Sequence, residues 1–436
     1  MKKLLPLFIS AAIGSLSSSA FADTLAEVYD QAKQNDPQLL RSAAQRDAAF
    51  EAVTSSRSSL LPEINLTAGY NINRSDIDGR ESDKLTAGIS FSQELYKRSS
   101  WITLDTAEKT ARQFDSAYAA EQQALILRTA TAYFDVLRAQ DNLEFVRAEK
   151  AAVARQLEQT KQRFEVGLSA ITDVHDAQAQ YDGVLADEVL AENDLTNSYE
   201  GLREITGQEH SNLSILDTDR FSASKSSESA TALVAQAEEK NLSLLAARIL
   251  QDIAKDDISL ASSGHLPSLT LDGGYNYGDE SNDNNGSKGD YNDFNVGVNL
   301  IVPLYTGGST TSLTKQAEYN YVAASEDLEA TYRSVVKDVR AFNNNISASI
   351  GALRAYEQSV VSAQSALEAT EAGFDVGTRT IVDVLDSTRR LYDANKNLSD
   401  ARYNYILSVL QLRQAIGTLS EQDIVDIDSG LKVASK

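Results

Sequence analysis

The chain has 436 residues, enough for two or three domains, with a formal net charge of -23 and no cysteine. The acidic balance argues against nucleic acid as a partner, because phosphate binding needs a basic face. The missing cysteine excludes disulfides, thiolate metal sites and a lipidated N-terminal cysteine.

Lys2 and Lys3 precede a short apolar run from Leu4 to Leu16, and Ala20-Phe21-Ala22 is a small-x-small cleavage site. Residues 1–22 therefore read as an export signal, too short to span a bilayer, with the mature chain beginning at Asp23. A helix is expected over 24–58. Ile64, Leu66, Ala68, Tyr70 and Ile72 then alternate with Asn65, Thr67, Gly69, Asn71 and Asn73, which predicts a strand over 64–73. Leu85, Ala87, Ile89 and Phe91 alternate with Thr86, Gly88, Ser90 and Ser92, which predicts a second strand over 85–95. The only prolines are Pro6, Pro37, Pro62, Pro267 and Pro303, and the proline-free spans between and after them are rich in Ala, Gln, Glu, Leu and Arg. They predict a long helix over 98–164 and a return helix over 172–205.

The second half repeats the first. Phe164-Glu165-Val166-Gly167, with Asp173-Val174 beyond it, recurs as Phe374-Asp375-Val376-Gly377 with Asp383-Val384; Gly207 recurs as Gly417 at the same spacing. Upstream, Leu61-Pro62 matches Leu266-Pro267, Gly69-Tyr70-Asn71 matches Gly274-Tyr275-Asn276, and Leu95-Tyr96 matches Leu304-Tyr305. The expected organisation is a first repeat over 23–207, a Ser- and Asp-rich linker over 208–230, a second repeat over 231–417 and a tail over 418–436. Within the second repeat, helices are expected over 231–262, 310–374 and 381–416, and strands over 268–277 and 294–305. The loops at 74–84 and 278–293 are polar and acidic and are expected to face outward.

Each strand segment is about 10 residues, the length of a tilted membrane strand. A soluble sheet with one wet face would alternate in the same way. The polar face, however, carries Asn, Ser, Thr and Gly rather than Lys and Glu, as suits a lumen. Four strands per chain cannot close a barrel, since about 8 is the practical minimum, and lipid forbids an open edge. The barrel must therefore be shared between chains, and three or four copies leave a usable lumen. The long helices should run some 100 Å, and two short helices end to end should match one long one. Val335, Val339, Phe342, Ile346, Ile350 and Leu353 step by three or four, as do coiled-coil seams. The linker and tail would then meet at mid-length as an equatorial belt.

With Val376-Gly377-Thr378-Arg379-Thr380-Ile381-Val382-Asp383-Val384-Leu385-Asp386 in this setting, the chain resembles the TolC family of outer-membrane efflux proteins over essentially its whole mature length. The resemblance implies a mainly α protein with a membrane β-barrel. A homotrimer would close twelve strands, and the barrel would continue as a periplasmic α-helical coiled-coil barrel. It implies a gated exit duct in the outer membrane for drugs, bile-type toxic compounds or secreted proteins. The partners would be outer-membrane lipid, a periplasmic adaptor and an inner-membrane pump of the RND or ABC type. Carried over, Asp383 and Asp386 form acidic rings at the entrance, and Arg379 links to Thr172 and Asp173 of a neighbouring coil. Phe374 stands where the family's gating aromatic is often Tyr, so one hydrogen bond of that link is lost. His175-Asp176 adds a second acid to the first repeat. The tips Val166-Gly167-Leu168 and Val376-Gly377-Thr378 are the expected adaptor-docking points, because glycine permits close backbone approach.

Plainer readings exist for some of these residues. Thr380-x-x-Asp383 is also a capping box, which explains Asp383 without a gate but not Asp386, one turn further on the same face. Arg379 is equally readable as a solvated tip residue. His175, His210 and His265 have no ligand spacing, so no metal is expected. No nucleophile elbow, P-loop or cofactor motif occurs, so no enzyme activity and no cofactor are expected. Two rivals to the duct are a stand-alone porin or surface receptor and a periplasmic coiled-coil scaffold.

Overall fold

The computed structural model describes residues 22–74, 82–225, 228–282 and 287–432. The expected export signal, apart from Ala22, lies outside the described residues, as do 75–81 and 283–286 of the expected outer loops, 226–227 of the expected linker and 433–436 of the expected tail.

The helix expected over 24–58 is two helices, α1 (Leu25–Asn35) and α2 (Pro37–Ser58). Pro37 has no N–H to continue α1, and Asp36 leaves the helical region with ψ 117 to become the N-cap of α2. Its carboxylate accepts from the Leu39 N–H at 2.8 Å. Two strands follow, β1 (Glu63–Asn73) and β2 (Ser82–Lys97), then α3 (Arg98–Glu165) and α4 (Ile171–Thr206). The linker holds a short strand, β3 (Ile215–Leu216). The helix expected over 231–262 is again two, α5 (Ala230–Lys240) and α6 (Leu242–Ser262), broken at Asn241. Asn241 has ψ 121 and accepts from the Leu244 N–H, so it copies the Asp36 break with no proline. Strands β4 (Ser268–Asn282) and β5 (Ser287–Ile301) precede α7 (Ser309–Asp375) and α8 (Ile381–Ile416). The tail forms α9 (Glu421–Asp428) and a short strand, β6 (Leu431–Lys432).

Three strands differ from the sequence expectation. The one expected over 85–95 runs from Ser82 to Lys97, and the one expected over 268–277 runs on to Asn282. The one expected over 294–305 starts at Ser287 and ends at Ile301, ahead of Pro303, which lacks the N–H a ladder needs. Apolar alternation marks only the band that would meet lipid, whereas backbone pairing continues through the polar residues beyond it.

The four long strands form one antiparallel sheet in the order β1-β2-β4-β5. Its register collects the apolar residues on one face. Leu66 pairs with Ile89, Ile89 with Tyr275, and Tyr275 with Phe294. The next such row is Ile64, Phe91, Gly273 and Val296, with the Phe91 ring lying over Gly273. The opposite face carries Asn65, Ser90, Gly274 and Asn295. Leu66, Phe294, Val298 and Leu300 are exposed in the single chain, and β1 and β5 each leave one edge unpaired.

α3 and α7 contain 68 and 67 residues, close to 100 Å each, and α4 and α8 contain 36 each. The largest core lies at the belt. Leu125, Tyr133, Phe134 and Leu137 of α3 meet Leu25 and Val28 of α1, Leu202 of α4, Leu410 of α8 and Ile424 of α9. The Tyr133 hydroxyl donates to the Ser214 carbonyl at 2.7 Å, and β3 pairs antiparallel with β6. Among the described residues no helix is long and apolar enough to cross a membrane.

The two faces of the sheet make a testable contrast. Leu66→Arg should cost about 2–4 kcal/mol of stability in lipid, as an arginine does near the bilayer midplane. Thr67→Arg, on the opposite face, should cost far less. Urea unfolding in phospholipid vesicles measures both, and equal effects would contradict the facing.

Candidate functional site

The residues singled out by the sequence lie where α3 and α7 end. Both helices stop in the same way. The Gly167 N–H bonds to the Phe164 carbonyl at 2.9 Å, and the Leu168 N–H to the Arg163 carbonyl at 2.8 Å. In the second repeat, the Gly377 N–H bonds to the Phe374 carbonyl at 3.0 Å, and the Thr378 N–H to the Gly373 carbonyl at 2.8 Å. This is a Schellman ending, which requires a left-handed residue, and φ is 77° at Gly167 and 80° at Gly377. The turns leave apolar side chains in solvent: Val166 is 70% exposed, Leu168 71% and Val376 75%. Thr378 is also exposed, and its hydroxyl donates to the Gly373 carbonyl at 3.0 Å.

The return helices start alike. Asp383 accepts from the Thr380 N–H and hydroxyl, each at 2.9 Å, and the Thr380 hydroxyl accepts from the Asp383 N–H at 3.3 Å. Asp173 accepts from the Ala170 N–H at 3.1 Å and from the Ser169 hydroxyl at 2.8 Å. Both aspartates thus close a helix start within their own chain. The Thr380 N–H, with its hydroxyl and the Arg379 charge adding to it, holds the Asp383 carboxyl below the usual carboxylate range.

Asp386 lies one turn beyond Asp383 and is paired with Arg390 at 2.6 Å. Arg379 folds back over Gly373, where any Cβ would collide with it. Among the described residues its guanidinium makes no hydrogen bond or ion pair, so the structure does not bring it to Thr172 or Asp173 of the same chain. Thr172 is exposed at the first turn of α4.

Phe374 does not project from the tip. It is 6% exposed and sits in a small apolar cluster with Val153 and Leu157 of α3, Ala177 and Val184 of α4, and Ile381, Val384 and Leu385 of α8. The Arg163 guanidinium lies 4.5 Å from the centre of its ring. The Arg163 Nε is buried without a hydrogen-bond partner, as suits a cation held by a π face. An aromatic without a hydroxyl therefore still ties the end of α7 to the end of α3. Sequence reasoning passed over Arg163, because its partner lies in the other repeat. Arg390 was legible, as an arginine four residues after Asp386. Among the described residues no group of three or more His, Cys, Asp or Glu is placed to hold a metal.

The paired hairpins, long helices and glycine-ended tips can be set beside known proteins. The family model described as "Outer membrane efflux protein" matches residues 28–208 and 233–418. The outer membrane protein TolC of Vibrio cholerae serotype O1 is 80% identical, covering 100% of both chains. The outer membrane protein TolC of Escherichia coli K12 is 47% identical over 99% of this chain and 90% of its own. Among solved structures, the CmeC outer membrane channel of Campylobacter jejuni superposes with a TM-score of 0.77 at 16% identity, covering 99% of this chain and 98% of that one. The chain belongs to the TolC family of outer-membrane efflux proteins: a non-enzymatic exit duct of the outer membrane for efflux and secretion, with a large helical part in the periplasm.

Proposed function

We propose that three copies of the chain close a twelve-stranded barrel, and that the trimer docks through its helix tips to a periplasmic adaptor and an inner-membrane pump of the RND or ABC type. The observation that carries this is the sheet with one apolar face and two unpaired edges, a piece that lipid cannot accept alone. Three copies supply twelve strands, enough for a lumen lined by the Asn, Ser and Thr face. The exposed Val166, Leu168 and Val376 around two glycines offer a small apolar platform to an adaptor hairpin. Mass measurement in detergent tests the assembly: a trimer is expected, and a stable monomer overturns it.

The tips act as the gate. In the closed trimer Arg379, which has no partner in its own chain among the described residues, reaches Thr172 and Asp173 of the next subunit. Within each chain, the stack of Arg163 on Phe374 holds the two coils together, at about 0.5–2 kcal/mol per stack. Arg379→Ser combined with Phe374→Ala should raise single-channel conductance in planar bilayers. Arg163→Ala combined with Arg379→Ser should do the same with the aromatic intact. Unchanged conductance in both pairs would place the lock elsewhere.

Asp383 and Asp386 line the entrance as acidic rings, and a multivalent cation relieves their mutual repulsion. A trivalent cation on the periplasmic side should block current at lower concentration than a divalent one. Replacing both aspartates with alanine should remove the block. Arg390 neutralises half of the ring, so Arg390→Ala should strengthen the block. The sign with pH follows from Asp383. Its folded value is depressed, so its cap is intact above the ordinary aspartate range and is lost only as pH falls through the lower folded value. Mutual repulsion in the ring acts against that depression, and the block should weaken as acid protonates the ring. Titration of the blocking concentration against pH measures this.

A further inference from the structure

Packing along the tunnel is interrupted between the belt and the tips. The fully buried residues of the equatorial cluster end on α3 at Leu137, and those of the tip cluster begin at Val153, with half-buried Val146 packed against them. In the gap, Leu143, Ala191, Leu391 and Ala394 are buried but belong to neither cluster. A cavity of about 420 Å³ opens there between α3, α4 and α8. Phe145 and Glu149 line it from α3, with Gly183 and Asp187 from α4 and Tyr392 and Asp393 from α8. An added Cβ on Gly183 would meet open space.

The charges of this cavity do not balance around Glu149. α4 presents Asp187 and Asp194, and α8 presents Arg389, Asp393 and Lys396. Arg389 is 3.8 Å from Asp393. On α3, the neighbouring Arg147 and Lys150 are taken up by Glu188, and Arg147 also by Glu192. Glu149 has no hydrogen bond or ion pair among the described residues. Its carboxyl is pushed up to about 6, first by burial and then by Asp393 and Asp187, with Arg389 pulling the other way.

We propose that Glu149 is a proton-operated spacer between the belt and the tips. Ionised, it repels Asp187 and Asp393 and holds α3 off α4 and α8. Protonated, it lets the three helices close over the cavity and stiffens the coils that run to the tips. The raised value sets the sign: the ionised groove costs stability that accumulates as pH rises from the ordinary glutamate range, and the cost is complete above about 6. The helices are thus looser at neutral pH and tighter in acid. An effect on conduction rests on the gate reading of the tips, whereas closure of the groove does not.

The chain has no cysteine, so spin labels can be placed freely. Ala151→Cys on α3 and Asn397→Cys on α8 are exposed neutral sites beside the groove, on two of the helices that form it. In the full-length protein in detergent, the label distance should shorten and narrow between about pH 7.5 and about pH 5, across the Glu149 transition. Glu149→Gln should give the short, narrow distribution at both pH values and melt higher than wild type at the upper one. In planar bilayers, wild-type conductance should fall with a midpoint near pH 6, and Glu149→Gln should stay at the lower level throughout. An unchanged wild-type distance, or a Glu149→Gln variant that still responds, overturns the spacer. A distance change with no change in conductance overturns its coupling to the tips. The gate reading itself stands or falls on the Arg379 and Phe374 variants.

Discussion

Lipid offers no hydrogen bonds, and that constraint governs the whole molecule. Every backbone N–H and C=O at membrane depth must find a protein partner. A four-stranded sheet that keeps β1 and β5 open cannot meet this condition, so the chain is built as a fraction of a larger object. The same constraint shapes the rest. Each hairpin feeds a helix of about 100 Å, and whatever closes the sheets also brings those helices side by side. Tunnel and barrel are one closure carried through two kinds of secondary structure.

Stability is concentrated away from that closure. Tyr133, Phe134, Leu202, Leu213, Leu410 and Ile424 are almost wholly buried at the belt, where α1, α9 and the β3–β6 pair wrap the long helices. Asp423, itself buried, caps α9 and pairs with Arg413. The tips hold only a small cluster, and the stretch above them is hollow. Such a gradient makes the middle of the tube its firmest part and the tips the part that opens most readily, since segments with few buried apolar contacts open first.

Much of this was legible in the sequence, for physical reasons. The strands announce themselves because lipid and lumen impose period two, and the tips because only glycine accepts φ near 80° cheaply. Pro37 carries a signal for the break at Asp36, which the single helix expected over 24–58 passed over. The matching break at Asn241 has no such signal, because asparagine caps a helix or continues one according to its tertiary contacts, here a bond to the Ala415 carbonyl at 2.8 Å. The strand ends beyond Tyr277 were illegible because polar residues pair or loop equally well. Arg163 and Glu149 were hidden for a related reason. Their meaning depends on helices more than 200 residues away in the chain, Phe374 for one and Asp393 for the other.

The two tips are copies that have drifted apart in a complementary way. Arg163 precedes the first turn where Gly373 precedes the second, and Arg379 follows the second where Ser169 follows the first. Each tip therefore carries one arginine, on opposite sides of its glycine. One of them grips the other repeat from within, while the other, among the described residues, makes no hydrogen bond or ion pair within its own chain. A tube made from half-length chains would impose every change on all of its tips at once. Joining the halves in one chain lets one tip change while its twin does not, so the two ends can come to differ in what they hold.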